Sequence, residues 1–385
     1  MPKSRIKVLM IAFELPPFNS GGLGEACLGL TKALSQHVDI TFLLPTKLDY
    51  PYTHMKLIYG DEFLKNKRRR PDKVFKGYEN TPYQNLEALG IETVSKNMVE
   101  RAMLEDFDIV HAHDWMAVKT AMQIAEKKQV PWVFQLHSTE IDRSPIEYLD
   151  RQKYDLEKLG VERASRIITV SNYTKKIVQQ YFCNTDNIDT VYNALTIDNN
   201  NFSEALPIDR PIILSLGRIT YQKGLENLLK TARIVVDKVP EALFVIVGDG
   251  DKTRDLIEYS GTLGLSGNIV FTGFLRGKEK ELIYNSASVF MMPSISEPFG
   301  LVAIEAASKG IPTIISKQSG VCEVLKGSKI VDYWDSEKMA KYILKILENK
   351  KHRAKIIEEQ NKSLKNISWE NSALEVNRIY NKILR

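Results

Sequence analysis

Short apolar runs alternate along the chain with longer amphipathic segments, and the alternation restarts once. Ile6–Phe13 (IKVLMIAF) is apolar at nearly every position, which predicts a strand buried on both faces. Gly24–Ser35 follows, with Leu28, Leu30, Ala33 and Leu34 among its apolar positions, and predicts a helix. Further strands are predicted at Val38–Leu44, Asp108–His113, Trp132–Leu136 and Arg166–Val170, with helices at Trp115–Lys127 and Tyr173–Phe182. From residue 211 the pattern begins again. Strands are predicted at Pro211–Leu216, Ala242–Val247, Ile269–Thr272, Val289–Met292 and Pro312–Ile315. Helices are predicted at Gly224–Lys238, Lys252–Leu263, Glu279–Ala287, Gly300–Lys309 and Lys338–Lys350. Strand and helix in strict alternation imply parallel sheets covered on both faces, an α/β class.

The restart locates a domain boundary. Residues 196–210 (TIDNNNFSEALPIDR) lack periodicity and have the composition of a linker. Two Rossmann-like doubly wound halves are therefore expected, residues 1–200 and 201–369. Ligands of such sheets bind beyond the carboxyl ends of the strands, and pockets favour domain interfaces, so the expected site is a cleft between the halves. Residues 45–100 break the pattern and are too long for a plain connection, so they are expected to hold functional loops or small helices.

Composition narrows the class without naming a chemistry. The 385 residues are 43% hydrophobic and 26% charged, enough apolar side chain for two or three globular domains and too much for a disordered chain. No run approaches the roughly 18–20 apolar residues of a membrane span. The basic start and apolar Ile6–Phe13 resemble a signal peptide only superficially, because Glu14 and the Pro16-Pro17 pair end the run without a small-residue cleavage site. Three well-separated cysteines fit neither a disulfide framework nor a zinc ribbon, and a cytoplasmic, reducing compartment is expected. A net charge of +5 is too small to argue for nucleic acid.

Four strings could carry chemistry. Gly21-Gly22-Leu23-Gly24 stands between the first strand and its helix, where close backbone approach and free N–H groups suit an anion or make a flexible turn. Gly217-Arg218 ends strand Pro211–Leu216, and Lys223-Gly224 opens the next helix. Two cations and a helix N-terminus beyond one strand suit a diphosphate; the alternative is two solvated surface cations. Gly248-Asp249-Gly250 is another tight strand-to-helix turn, expected to shape a pocket. The fourth is Ser296-Glu297-Pro298-Phe299-Gly300-Leu301-Val302-Ala303-Ile304-Glu305-Ala306, with Pro298 where a helix could start. Glu305 falls in the apolar segment LVAIEAA, where a carboxylate is costly unless paired. Its partner is either a vicinal diol such as a ribose or an intramolecular Lys or Arg.

In this order the strings resemble the retaining GT-B glycosyltransferases of the family 4, group 1 type, which include glycogen and sucrose synthases. Glu297 and Glu305 match the family's paired-glutamate signature, and Gly217-Arg218 with Lys223-Gly224 its donor-phosphate pair. Gly21-Gly22-Leu23-Gly24 matches its glycine loop; His111-Ala112-His113-Asp114-Trp115 and Val170-Ser171 match further landmarks. Tyr192-Asn193 is similar to the Asn opening the interdomain linker, and Ser368-Trp369-Glu370 leads a last helix, 370–385, that packs back on the first domain in the family. The resemblance implies a GT-B fold and transfer of a hexose from a UDP-, ADP- or GDP-sugar to a glycan, lipid or small-molecule hydroxyl.

It also implies residue roles. Arg218 and Lys223 would hold the diphosphate, and Glu305 the ribose. Glu297 would lie near the donor sugar, and His137 near its 6-hydroxyl. Backbone groups around Gly22, Gly300 and Leu301 would contact phosphate or sugar, with Gly21, Gly24, Asn193, Gly248, Pro298 and Phe299 lining the site. No metal and no obligatory cofactor are implied, because a leaving phosphate oxygen can take the acceptor's proton. Glu25 after the glycine loop is nearer the starch and glycogen synthases, whereas Phe299 stands where those enzymes tend to have Cys.

Two features stand apart. His111 and His113 share one side of a strand and could grip a metal, yet further ligands are not evident, and packing beside the cleft is the simpler reading. The basic run Lys65, Lys67, Arg68, Arg69, Arg70, Lys73 and Lys76 reads as a solvated loop or as a patch for an anionic membrane surface or glycan. Other readings are α-glucan elongation of the glycogen-synthase type, a nucleotide-sugar epimerase or glycan phosphorylase, and a non-catalytic nucleotide-sugar-binding protein.

Overall fold

The computed structural model describes residues 5–19, 21–48, 50–63, 90–183, 185–195 and 203–385. The basic run at 65–76 and the first part of the 196–210 linker lie outside them. The chain divides into two compact units. The first comprises Met1–Ile141, Ile146–Ala194 and Trp369–Arg385, and the second Asp142–Pro145 and Leu195–Ser368.

The first unit is built on a parallel sheet. In chain order its strands are β1 (Lys7–Ile11), β2 (Asp39–Leu44), β3 (Lys56–Tyr59), β4 (Ile109–His113), β5 (Trp132–Leu136), β6 (Arg166–Thr169) and β7 (Ile188–Thr190). Their spatial order is β3-β2-β1-β4-β5-β6-β7. β1 is central and pairs Val8 with Ile40 of β2 and with Ile109 of β4. Side chains alternate across a strand, so β1 feeds two cores. Leu9, Ile11 and Phe13 pack with Val110, Phe134 and Met98, and Val8, Met10 and Ala12 with Leu30, Phe42 and Tyr380. This is why IKVLMIAF is apolar at every position but Lys7, which is exposed at the start of the strand.

The last helix, Trp369–Ile383, completes the second of these cores. Ala373, Val376, Ile379 and Tyr380 are buried at helical spacing on one face. Gly29 makes its docking possible: a β-carbon there would lie 2.1 Å from Cε2 of the Trp369 ring.

The second unit repeats the plan with β8 (Ile212–Leu216), β9 (Leu243–Val247), β10 (Ile269–Gly273), β11 (Val289–Met292), β12 (Thr313–Ser316) and β13 (Lys329–Val331). All pair in parallel, in the order β10-β9-β8-β11-β12-β13. In each unit the strand order reverses at one point, between β1 and β4 and between β8 and β11. Loops leaving the carboxyl ends of strands at such a point diverge to opposite faces and open a crevice. Residues 14–19 and 114 follow the strands at the first crevice, and residues 217–224 and 293–300 those at the second.

Several elements differ from the sequence expectation. Pro298 does not start a helix: Gly300, at φ 109°, is the N-cap and the helix runs Leu301–Ser308. The first helix begins at Gly22, so Gly22 and Gly24 lie inside its first turn. The segment after β4 opens with a 3-10 turn, Trp115–Ala117, before the helix Val118–Lys128. The helix Ser336–Glu348 is followed by a second, Lys350–Leu364, which Asn349 caps by accepting from the His352 N–H at 2.9 Å. Residues 45–100 include β3 and the helix Ile91–Ala102.

Candidate active site

In the second unit the loop after β8 turns back at once. Gly217 N–H donates to Val247 O at 3.0 Å, and Ile219 N–H to Asp249 O at 2.9 Å. These bonds knit the β8 and β9 loops together and require a glycine at 248. Its φ is 132°, and a β-carbon there would lie 1.9 Å from Gly217 O. Gly248→Ala should cost at least about 3 kcal/mol, because positive φ and a backbone clash act together and neither neighbour is a flexible side chain. A denaturant midpoint unchanged from the parent protein would refute this.

The knitted loops project Arg218 into solvent, with no ion pair among the described residues. Beyond it the 3-10 turn Tyr221–Lys223 ends at Gly224 (φ 60°), the N-cap of the helix Leu225–Val236. Gly217, Arg218, Lys223, Met292 and Ser294 line one shallow recess. Lys223 Nζ meets Glu297 Oε2 at 2.6 Å, and the same oxygen accepts from Ser294 Oγ at 3.1 Å. Glu297 is held by its backbone too: its N–H donates to Gln318 O at 2.8 Å, and its carbonyl accepts from Gly320 N–H at 2.9 Å. Pro298, Phe299 and Gly300 are buried behind it, and Leu301 opens the helix whose first N–H groups lack intrahelical partners.

Glu305 lies one to two turns along that helix. It already has protein partners: Lys280 Nζ at 2.8 Å and Tyr284 Oη at 2.8 Å, both on Oε2. Of the two partners expected for a carboxylate in LVAIEAA, the intramolecular cation is present. Sequence reasoning missed Lys280 and Tyr284, which lie on the preceding helix Gly277–Ser286.

In the first unit the glycine loop also holds an unforeseen acid. Glu14 is 2% exposed, and its Oε1 accepts from the Gly24 N–H at 3.2 Å, inside the first turn of the helix Gly22–Leu34. A carboxylate there is stabilised by the helix dipole. Gly21 and Gly22 are exposed beside it. An acid between an apolar strand and a Pro-Pro pair is the signal that could have found it.

His137 follows β5. Its N–H donates to Asp114 Oδ1 at 2.7 Å, and its Nε2 faces His113 Nδ1 at 3.1 Å. Asp114 takes φ 58° with ψ 172°, a positive φ uncommon outside glycine. His113 stacks on His111 at 4.4 Å between ring centroids, and His111 Nδ1 meets Tyr380 Oη at 2.5 Å. Burial holds all three imidazoles below their usual pKa, His111 down to about 3. One ligating atom each from Cys27, His113 and His137 lie within 4.8 Å of one another. Burial raises the Cys27 thiol well above its usual value, so a cation there would have to displace its proton and open the His113–His137 contact. Asn193 is buried just beyond β7. Thus Arg218, Lys223, Gly248, Glu297 and Gly300 meet in the second unit, whereas Gly21, Gly22, Gly24, His137 and Asn193 belong to the first.

Comparison with known proteins gives this arrangement a family. Residues 20–199 match the profile of Glycosyltransferase Family 4, and residues 196–363 that of Glycosyl transferases group 1. An uncharacterized glycosyltransferase of Methanocaldococcus jannaschii is 29% identical, over 97% of this chain and 98% of its own. Glycogen synthase of Mycobacterium tuberculosis is 26% identical over 83% of this chain and 80% of its own. Among solved structures, sucrose-phosphate synthase of Thermosynechococcus elongatus superposes with a TM-score of 0.78 at 20% identity, covering 98% of this chain and 99% of that one. Anabaena HepE, solved in complex with UDP-glucose, gives 0.74 at 16% identity, covering 98% and 100%. The two parallel sheets and these matches together establish that the chain has the GT-B fold and belongs to the family 4, group 1 glycosyltransferases.

Proposed function

We propose that this glycosyltransferase moves a hexose from a nucleoside-diphosphate sugar to a hydroxyl of a glycan, lipid or small molecule, with retention at the anomeric carbon. The observation that carries this reading is the Arg218–Lys223 loop at the β8 switch point. It offers one guanidinium without an ion pair among the described residues, and one ammonium, over a shared recess. Breaking the bond from the sugar C1 to the phosphate oxygen places negative charge on the departing diphosphate. Arg218 and Lys223 would stabilise that charge from fixed positions. Lys223 would have to exchange part of its contact with Glu297 for phosphate, which frees Glu297 to accept from donor hydroxyls. The acceptor oxygen bonds to C1 on the face the phosphate leaves, and its proton passes to a phosphate oxygen. Glu305 would accept from the ribose, and His137 would serve the donor sugar.

The similarity to a glycogen synthase supports a narrower second reading, α-glucan elongation from UDP- or ADP-glucose. Membrane contact through residues 65–76 stays a proposal of the sequence; among the described residues no helix is long and apolar enough to cross a membrane.

A thermal-shift series with UDP, ADP, GDP and their glucose and mannose conjugates tests the reading. A ligand at a hundred times its Kd adds about 2.7 kcal/mol of apparent stability, a shift of several degrees. One base should stand out, and its sugar conjugate should be consumed slowly by hydrolysis without an acceptor. No shift and no hydrolysis with any of them would favour a different function.

A further inference from the structure

We propose that Tyr284 and Lys280 are positioning residues that fix which oxygen of Glu305 a donor can use, and so set a preference for ribonucleotide over deoxyribonucleotide donors. This rests on the reading that Glu305 meets the ribose. Both donors come from one helix, Gly277–Ser286, four residues apart and hence on one face. Both converge on Oε2 of Glu305, each at 2.8 Å. Lys280 Nζ also lies 5.8 Å over the Tyr284 ring. Oε1 has no hydrogen-bond partner among the described residues.

The tyrosine cannot easily leave this arrangement. Tyr284 is 1% exposed, so its hydroxyl has no access to bulk water and would be left unsatisfied without the carboxylate. Burial and the neighbouring Glu305 and Glu281 push its pKa well above the usual phenol value, so it remains a donor. Glu305 itself is only 23% exposed along its side chain and stands in an apolar helix. The carboxylate is therefore pinned at one oxygen and presents the other in a single orientation. A pinned acceptor rewards a hydroxyl that arrives in line and gains nothing from a donor lacking it. Without the pin, the same carboxylate turns toward solvent and the discrimination weakens.

The test uses calorimetric titration of the full chain with UDP, ADP and GDP and with the 2′,3′-dideoxy form of each. The wild type should bind one ribonucleotide at least about tenfold more tightly than its dideoxy form, about 1.4 kcal/mol. Tyr284→Phe should weaken the ribonucleotide about five- to tenfold, leave the dideoxy form unchanged, and raise donor KM with little change in kcat. Lys280→Met should move the same ratio in the same direction, and Lys280→Arg should restore it. In a Glu305→Gln background, Tyr284→Phe should add nothing. Equal weakening of both nucleotides, or an unchanged ratio in both Tyr284→Phe and Lys280→Met, would overturn the proposal while leaving Glu305 as the ribose acceptor. A wild type that binds nucleotide without preference would overturn both roles. A wild type that binds none would overturn the proposed function itself. Lys280 is 31% exposed, so its variants keep the test valid should Tyr284→Phe fail to fold.

Discussion

Arg218→Ala should lower turnover about 10²- to 10³-fold while leaving the melting temperature within about one degree of the parent. The two halves of this expectation have separate grounds. Arg218 is exposed and has no ion pair among the described residues, so its loss removes nothing that holds the fold. Its place at the carboxyl end of β8, beside Lys223 and Ser294, is where a departing diphosphate would collect charge. Removing one fixed donor from such a site typically costs about 3–4 kcal/mol of transition-state stabilisation. Lys223→Ala would be a poorer probe. It strips the counter-charge from Glu297, which is 7% exposed, so folding and catalysis would fall together. Donor hydrolysis rates paired with thermal melts separate the two effects; Arg218→Ala turning over within twofold of the parent would remove Arg218 from the chemistry.

The second large effect is acid lability of the first unit. His111, His113 and His137 are buried and held neutral, their folded pKa values lying below the ordinary one near 6.5. The unfolded chain therefore binds more protons than the native one once pH falls below about 6.5, and stability must fall with pH. The contribution is fully present above that point and is lost progressively down to the folded values, about 3 for His111. Each such group costs up to about 1.4 kcal/mol per pH unit while the pH lies between its ordinary and its folded pKa, so their losses add as the pH falls. Against an ordinary stability of about 5–15 kcal/mol, acidification below about pH 6.5 should remove a large part of the stability of the first unit. Urea titrations at pH 7, 6, 5.5 and 5 should show stability falling with pH, and His113→Asn should reduce that fall. Stability that stays flat from pH 7 to 5 would mean that the imidazoles are not sealed as the geometry has them.

Both effects draw on features of unequal visibility in the sequence. The switch-point loops were legible because consecutive residues make them: strand end, glycine, cation. The apolar run Ile6–Phe13 likewise announces a central strand, because burial on both faces leaves no polar alternation. Three-residue edge strands such as Ile188–Thr190 and Lys329–Val331 carry mixed polarity and too short a pattern to register. The helix Arg151–Arg163 was also missed, as its buried positions are few, Leu156, Glu157, Gly160 and Val161. Side-chain partners across the fold were the least legible. Nothing in the sequence ties Glu305 to Lys280 and Tyr284 on another helix, or Cys27 to His113 and His137 on two separate strand ends. In the sequence Glu14 only ends an apolar run, whereas in the fold its carboxylate accepts from the first turn of the glycine-loop helix.

Calorimetric titration of the parent chain and of Arg218→Ala with UDP, ADP and GDP tests most directly where the diphosphate sits. One nucleoside diphosphate should bind the parent, and Arg218→Ala should weaken it by about tenfold or more, as loss of a hydrogen-bonded charge contact should. Equal affinity in the two proteins would contradict the placement of the diphosphate at the end of β8.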